Sequence, residues 1–167
     1  FSEAYILDAV KRYDVKGAKY FSTPLKYYFA DVGLRNARLN FRQIEENHIM
    51  ENIIYNDLVR RGFNVDVGVV SIATREWDVR GIQKKNNVRL EVDFVANKGS
   101  RRYYIQAALS VADPETHARE IRSLRRIEDS FSKIVIVKDD IVPRQDKDGI
   151  LYLGITDFLL NEQALAI

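Results

Sequence analysis

The chain has 167 residues and no cysteine, which excludes disulfide bonds and thiolate metal sites and gives no support for secretion. Apolar residues make up 46% of it and charged residues 30%, a composition typical of one folded domain. It contains neither an apolar run long enough to cross a membrane nor a signal-peptide pattern, so we expect a cytoplasmic protein without a membrane partner. A net charge of +2 is too small to indicate nucleic-acid binding by itself.

The first forty residues differ in pattern from the rest. Glu3 to Arg12 has a partial apolar stripe that predicts the end of a short helix, and two short strands then flank a Lys16-Gly17 turn. A helix followed by a hairpin has the shape of the end of a winged helix. The alternative, which we prefer, is a structural lead-in with a solvated basic hairpin. We therefore divide the chain into residues 1–40, a winged-helix remnant or lead-in segment, and residues 41–167.

Phe41 to Arg61 gives the clearest helical pattern of the chain. Ile44, Ile54 and Leu58 share one face, and Gly62 stands where a helix C-cap is expected. Glu51 lies seven residues from both Ile44 and Leu58, which puts its carboxylate on the apolar stripe. Such a carboxylate must be paired, hydrogen-bonded or bound to metal, unless it reaches solvent or an arginine from the edge of the stripe.

A group of strands follows this helix. We predict strands over Phe63–Val70, Arg75–Val79, Val88–Ala96 and Tyr103–Leu109, with Gln83–Asn87 as a polar turn. Alternation over the third of these places Glu91 and Asp93 together on the face opposite Val88, Leu90, Val92 and Phe94. That face either forms part of a functional site or is exposed to solvent. Gln106 is the one polar residue of the last strand, and a buried amide needs partners such as Asp93 or Glu51.

The remaining elements complete an α/β pattern. Asp113 and Pro114 mark a helix start, and the helix is expected to continue to about Ile127 with Ala118, Ile121 and Leu124 facing inward. Two strands and a terminal helix follow, over Phe131–Val137, Gly149–Leu153 and Ile155–Leu160. The order predicts a mixed central sheet flanked by helices, with the αβββαβ core of restriction-endonuclease-like folds.

Three segments carry a family resemblance. They are Tyr13–Gly17 leading through Lys26–Ala37, Glu51–Tyr55 ending in Arg60–Phe63, and Glu91–Val95 with Ile105–Ala107. Together they resemble the C-terminal domain, of unknown function and nuclease-like fold, of a large prokaryotic family of P-loop AAA-type ATPases. The resemblance implies an ATPase domain upstream in the same polypeptide. Because the chain has no G-x-x-x-x-G-K-[ST] phosphate loop, we expect ATP to bind only in that other domain.

The same residues resemble the PD-(D/E)xK nuclease site. In that pattern a helix carboxylate, a strand aspartate, and an acidic or amide residue two positions before a lysine correspond to Glu51, Asp93 and Gln106, but Ala108 stands at the lysine position. Carboxylates of an intact site hold Mg²⁺, which activates a water, and the lysine assists. We therefore expect metal binding by Glu51 and Asp93 to be weak or absent. No spacing favours Lys84, Lys85 or Lys98 as a replacement, and neither His48 nor His117 is expected in the site.

Three functions remain open at this point. The first is a nucleic-acid-binding, nuclease-like domain with an inactive site, for which the phosphate contacts would be Arg101, Arg102, Arg119, Arg122 and Arg125. The second is a protein-interaction or regulatory domain of the ATPase without DNA binding. The third is an active Mg²⁺-dependent DNA endonuclease in which another residue replaces the lysine.

Overall fold

The computed structural model describes residues 6–41, 45–77 and 83–165. Within these ranges the strands are β1 Leu7–Asp14, β2 Lys19–Phe29, β3 Asn64–Trp77, β4 Gln83–Lys98, β5 Arg101–Ala108, β6 Ser132–Val137, β7 Arg144–Gln145 and β8 Leu151–Gly154. The helices are α1 Val32–Arg38, α2 Glu46–Arg60, α3 Pro114–Glu120, α4 Arg122–Arg125 and α5 Ile155–Leu160. None of the helices in these ranges is long and apolar enough to cross a membrane.

All the strands belong to one mixed sheet of eight strands in the order β2-β1-β3-β4-β5-β6-β8-β7. The pairs β1–β3, β5–β6 and β6–β8 are parallel, and the others are antiparallel. One apolar cluster joins α2 and α5 to one face of the sheet, and a second joins Ile121 and α4 to the other face. The predicted α/β class, a mixed sheet flanked by helices, is confirmed.

The lead-in segment adds two strands to this sheet. The hairpin predicted around Lys16-Gly17 is confirmed, because β1 and β2 pair from Leu7↔Phe29 to Asp14↔Lys19. The helix predicted over Glu3–Arg12 is wrong from Leu7 onward, and residues 3–5 lie outside the described ranges. Strand β1 pairs with β2 along its length and with β3 over its last three residues, and this pairing outweighs the weak helical stripe.

Helix α2 begins later than the sequence predicts. Asn40 and Phe41 have φ values of 50° and 55°, which a right-handed helix does not allow, and the helix begins at Glu46. Ile44, which helps to define the predicted stripe, lies outside the described residues. The predicted end is confirmed, because Gly62 follows the helix with φ 80° and its N–H donates to the carbonyl of Val59.

Strands β3 and β4 form a long antiparallel ribbon where the sequence predicts shorter pieces. The pairing runs from Asn64↔Asn97 to Trp77↔Gln83, so the separate strand predicted at Arg75–Val79 continues β3 as far as Trp77. The polar turn predicted at Gln83–Asn87 is wrong, because these residues are the first part of β4. Val79 lies outside the described residues. Cross-strand backbone bonds override polar composition in this ribbon.

A bulge in β4 shifts the side-chain alternation. Asp66 pairs with Val95 and Gly68 with Val92, so two residues of β4 stand opposite one residue of β3. Val92 consequently packs with the α4 face and Phe94 with the α2 face, and the prediction that they share a face is wrong. The bulge lies at Asp93 and Phe94.

The second half of the chain follows the prediction with one break. Asp113 caps α3 through the N–H of Thr116 at 2.9 Å, and β6, β8 and α5 lie close to their predicted ranges. The single helix predicted up to Ile127 is instead α3 and α4, separated at Ile121, which is buried as predicted. Ala118 is exposed, so the prediction that it faces inward is wrong. No pattern in the sequence indicates the two-residue strand β7.

Candidate functional site

Asp93 lies in the interior of the sheet, where β4 and β5 separate. The β4–β5 pairing ends at Phe94↔Ile105, and beyond it Oδ2 of Asp93 accepts the backbone N–H of Ala107 at 2.8 Å. The same oxygen accepts the side-chain amide of Gln106 at 2.7 Å. The carboxylate thus replaces the β4 backbone partner that Ala107 lacks, and it is buried.

Gln106 reaches this carboxylate from the face of the sheet that packs against α4. Its Oε1 accepts the hydroxyl of Ser123 at 3.5 Å, and Ser123 is a buried residue of α4. Ala108 lies in the apolar cluster on the same face of the sheet and is 1% exposed. A lysine at position 108 would therefore lie among apolar side chains, and alanine is the residue that this packing suits.

The cation of the site comes from β2. Lys26 Nζ lies 2.6 Å from Oε2 of Glu51, 3.0 Å from Oε1 of Glu91 and 4.0 Å from Oδ1 of Asp93. Glu51 is 5% exposed on α2, so the interpretation in which it reaches solvent is wrong. Its other oxygen accepts the amide of Asn47 at 3.3 Å. The structure therefore brings Glu51, Asp93 and Gln106 together, with Lys26 among them.

Contacts between α2 and β2 explain how Lys26 reaches the site. Asn52, next to Glu51, accepts the N–H of Phe29 at 2.9 Å and donates to its carbonyl at 2.6 Å. Tyr28 stacks on Tyr55 of α2, with ring centres 4.2 Å apart. These contacts fix the end of β2 against the helix, three residues beyond Lys26.

Glu91 links Lys26 to a second cation, Arg12 of β1. Arg12 Nη1 contacts Oε2 of Glu91, and its Nε donates to the carbonyl of Pro24 at 3.1 Å. Burial acts to raise the pKa of Glu91, but the hydrogen bonds and charges of Arg12 and Lys26 outweigh it, and the pKa is lowered. Glu91 is therefore held firmly in its ionised form.

Asp93 differs from Glu91 in its charge state. Burial and then the neighbouring Glu51 raise the pKa of Asp93 to about 7, against the opposing effects of Lys26 and the N–H of Ala107. Burial acts to lower the pKa of Lys26, but Tyr28, Glu51 and Asp93 outweigh it, and the pKa of Lys26 is raised. Lys26 is thus charged at neutral pH, whereas Asp93 titrates there.

Tyr28 borders the same cluster. Its hydroxyl is buried beside the Lys26 ammonium, which acts on it both through its charge and through a hydrogen bond. Burial raises its pKa, Lys26 opposes this, and Glu51 and Asp93 raise it further, which places the hydroxyl among these charges. Sequence reasoning missed both Lys26 and Tyr28. Their signal is the i, i+2 spacing, which puts both on one face of a strand while Tyr27 faces the other way.

The arrangement does not fit Mg²⁺ as it stands. Mg²⁺ requires oxygen ligands at about 2.0–2.1 Å in octahedral geometry. Between Glu51 and Glu91 the corresponding space holds the Lys26 ammonium, a cation with its own bonds to both carboxylates. In the described residues no three His, Cys, Asp or Glu side chains are grouped as metal ligands.

The five candidate arginines fall into two groups. Arg101, Arg119 and Arg122 are exposed, and no ion pair involves them in the described ranges. Arg102 lies between the rings of Tyr13 and Phe131, 5.3 Å from each ring centre, and donates to Asn97 at 2.8 Å. Arg125 is paired with Asp148 at 3.0 Å. Arg102 and Arg125 thus already have partners within the fold.

The other candidates lie outside the site. His48 is exposed and pairs with Glu45 at 2.5 Å. His117 is partly buried, with Nε2 3.0 Å from the Tyr152 hydroxyl. Lys98 donates to the carbonyl of Arg61 at 2.7 Å, and the side chains of Lys84 and Lys85 lie outside the described residues.

The chain is similar to a longer bacterial protein. It is 30% identical over 158 residues to an uncharacterized protein of Haemophilus influenzae, a match that covers 95% of this chain and 34% of that protein. The chain therefore spans about a third of the length of the relative it matches. No protein-family model matches the chain. No solved structure matches it either.

Proposed function

We propose that the chain is a nuclease-like domain of the restriction-endonuclease type, which binds nucleic acid and does not cleave it. The order α2, β3, β4, β5, α3–α4 and β6 is compatible with an αβββαβ core. Glu51, Asp93 and Gln106 meet where β4 and β5 separate. The observation that carries the proposal is the Lys26 ammonium within this cluster, because it neutralises the carboxylates that a nuclease needs for its metal.

Exposed arginines on α3 and α4 supply the nucleic-acid surface in this proposal. Arg119, Arg122 and Arg126 are exposed on the outer side of this helix pair, and none has an ion-pair partner among the described residues. Ser123, on the inner side, contacts Gln106, so the arginines lie across α4 from the carboxylate cluster. Guanidinium groups without internal ion pairs are available for phosphate oxygens.

A DNA-binding titration tests this surface. We expect the purified chain to bind fluorescent duplex or branched DNA, with an affinity that falls as salt rises. Replacement of Arg119, Arg122 and Arg126 by alanine should reduce the slope of log K against log salt by about 0.9 for each phosphate that is no longer neutralised. A charge-matched control replaces Lys11, Lys16 and Lys19, which are exposed around the β1–β2 turn.

Two results of this titration would exclude the proposal. If the wild-type chain does not bind DNA at low salt, the remaining explanation is the regulatory domain without nucleic-acid binding. If the lysine control weakens binding as much as the arginine variant does, the α3–α4 surface is not the site.

A larger protein forms the context of this proposal. The relative from Haemophilus influenzae extends well beyond the matched region, which supports a domain within a longer chain. In our proposal an ATPase domain of the same polypeptide lies upstream and supplies the ATP chemistry, in the cytoplasm. The nuclease-like domain would deliver that ATPase to nucleic acid.

An active endonuclease is the second candidate, because one specific observation favours it. Lys26 Nζ lies within 4.0 Å of carboxylates of both Glu51 and Asp93, so a lysine is present although position 108 is alanine. If a metal ion could displace the ion pairs, Lys26 would be placed to assist an attacking water. Cleavage assays that compare the wild type with Lys26→Gln separate the two candidates.

A further inference from the structure

A pocket lies between the α3–α4 helices and the turn that joins β7 to β8. We infer that it binds the doubly charged phosphate group of a phosphate monoester. The inference goes beyond the proposed function and does not depend on it, because the pocket shares no residue with the carboxylate cluster or with the exposed arginines proposed to bind nucleic acid. The side chains that line the pocket include His117, Arg125, Arg144, Asp146, Lys147 and Tyr152.

The size of the pocket suits a single chemical group. Its volume is about 230 Å³, below the range of roughly 300–1,000 Å³ that is usual for pockets enclosing a whole small molecule. The lining is mostly polar or charged, with Tyr152 as its aromatic member. A compact anion therefore fits this pocket better than a large apolar ligand does.

The cations of the pocket carry the inference. Arg144 lies over the ring of Tyr152, with its guanidinium carbon 5.6 Å from the ring centre, and Arg125 is paired with Asp148 at 3.0 Å. Neither Arg144 nor Lys147 has an ion-pair partner in the part of the chain that the structure describes. These two uncompensated charges match the two negative charges of a phosphate monoester, whereas a phosphodiester carries one.

The carboxylate in the pocket is already occupied by donors of the fold. Asp146 Oδ1 accepts the N–H of Asp148 at 2.9 Å and the N–H of Ile150 at 3.0 Å. Its Oδ2 accepts the hydroxyl of Tyr152 at 3.3 Å, and Tyr152 is 3% exposed. Asp146 thus holds the turn together, and the donors that it accepts reduce its repulsion of an incoming anion.

His117 reports on the charge inside the pocket. Its Nε2 lies 3.0 Å from the Tyr152 hydroxyl, which donates its own proton to Asp146 and so accepts from Nε2–H. Nδ1 is buried without a hydrogen-bond partner among the described residues. Burial and then Arg125 and Arg144 lower the pKa of His117, while Asp146 opposes them. A bound anion would offset the arginines and raise this pKa.

NMR of the histidine rings tests the inference, because the chain has two histidines, His48 and His117. The purified chain is titrated with inorganic phosphate, which replaces chloride at constant ionic strength. We expect a saturable shift of the His117 signals and none of His48, which pairs with Glu45. A pH titration in sulfate, whose two charges do not change near neutral pH, should give a higher pKa of His117 than a titration in chloride.

Single substitutions separate binding in this pocket from a general effect of charge. Arg144→Gln and Lys147→Gln should each weaken phosphate binding at least about tenfold, because each removes one charged donor. Both side chains are exposed, so the fold should tolerate their replacement. The matched controls are Arg38→Gln on α1 and Lys16→Gln at the β1–β2 turn, which should bind phosphate as the wild type does.

Two oligonucleotides of one sequence, with and without a 5′-phosphate, identify the source of the phosphate group. A shift of His117 by the phosphorylated strand alone supports a terminal phosphate of nucleic acid. A shift by inorganic phosphate but by neither strand supports a phosphorylated small molecule. Three results overturn the inference: phosphate shifts His117 no more than chloride does, the control variants weaken binding as much as the pocket variants, or both strands shift His117 equally.

Discussion

At the scale of single residues, Asp93 is the group with the most unusual chemistry. It accepts hydrogen bonds from Ala107 and Gln106 through one oxygen, and its other oxygen faces Lys26. Burial and the charge of Glu51 raise its pKa to about 7. A carboxyl group that is protonated near neutrality weakens any metal site to which it contributes, because only the ionised form is a good ligand.

The raised pKa of Asp93 predicts a pH-dependent stability. Between the unfolded pKa of about 3.9 and the folded value of about 7, the folded state retains a proton that the unfolded state has released. This contribution is complete below about pH 4 and declines as the pH rises towards 7. We expect the free energy of unfolding, measured in urea from about pH 4 to 8, to fall more steeply with pH in the wild type than in Asp93→Asn.

The comparison between these two proteins isolates Asp93. The groups that face it are Glu51, Glu91, Lys26 and Tyr28, and they are present in both proteins. His117 is also present in both, and its lowered pKa changes the free energy of unfolding with pH in the opposite direction. Equal pH slopes for the wild type and the variant would show that Asp93 is ionised throughout this range.

Part of this site is predictable from the sequence. Glu51 is indicated by its place on an apolar stripe and Gln106 by its isolation in an apolar strand, and both are local patterns. Lys26 cannot be predicted from a local pattern, because its role depends on the packing of β2 against α2 through Asn52. That contact joins residues far apart in the chain. No pattern near position 108 indicates where a lysine from another strand will lie.

At the scale of elements, the bulge in β4 positions the site. It lies beside Asp93, where the pairing of β4 with β5 ends, and Gly68 of β3 lies opposite. A Cβ at Gly68 would lie 2.8 Å from Cβ of Val92 and 2.9 Å from Cγ2 of Val95. Glycine is therefore required here for close approach of the two strands.

Substitution Gly68→Ala should disturb both the ribbon and the site. We expect a decrease of about 1–3 kcal/mol in the free energy of unfolding, because overpacking must move Val92 or Val95. The titration of Asp93, followed by NMR, should also shift. The control is Gly99→Ala, where φ is 60° and no atom lies within 4 Å of the new Cβ; it should cost about 1 kcal/mol without moving Asp93.

One outcome for Gly68→Ala would contradict the role of the bulge in positioning Asp93. An unchanged Asp93 titration in a destabilised Gly68→Ala protein would show that the bulge supports the sheet but does not position the carboxylate.

Elements are predictable from the sequence where the signal is local. The caps at Gly62 and Asp113 agree with the structure, because capping depends on a few neighbouring residues. The break between α3 and α4 is not predictable in this way, since Ile121 keeps a helical pattern although its ψ of 2° ends the first helix. The length of β4 is not predictable from its local sequence, because its first part is polar and is held in the sheet by pairing with β3.

At the scale of the whole molecule, β1 and β2 complete the site. Arg12 comes from β1, Lys26 and Tyr28 come from β2, and the carboxylates come from α2 and β4. The α/β class and most of the element order are predictable from the sequence, but the first forty residues look like a separate lead-in. Their contribution to the cluster is visible only when the sheet is assembled.

The chain by itself is expected neither to bind nor to hydrolyse ATP. It has no phosphate loop of the type that cradles nucleotide phosphates. Calorimetry of the purified chain with ATP and Mg²⁺ should give no saturable heat. Tight binding would contradict our proposal that ATP binds in a different domain of a longer protein.

Cleavage of DNA tests the central claim most directly. Linear and branched DNA are incubated with the wild type, Asp93→Ala and Lys26→Gln in the presence of Mg²⁺ or Mn²⁺. A cluster closed by Lys26 predicts that the wild type cuts no faster than Asp93→Ala, since removal of one catalytic donor alone costs on the order of a hundredfold in rate. Robust cutting by the wild type that disappears in both variants would show that Lys26 is a catalytic lysine and would contradict a closed, non-cleaving site.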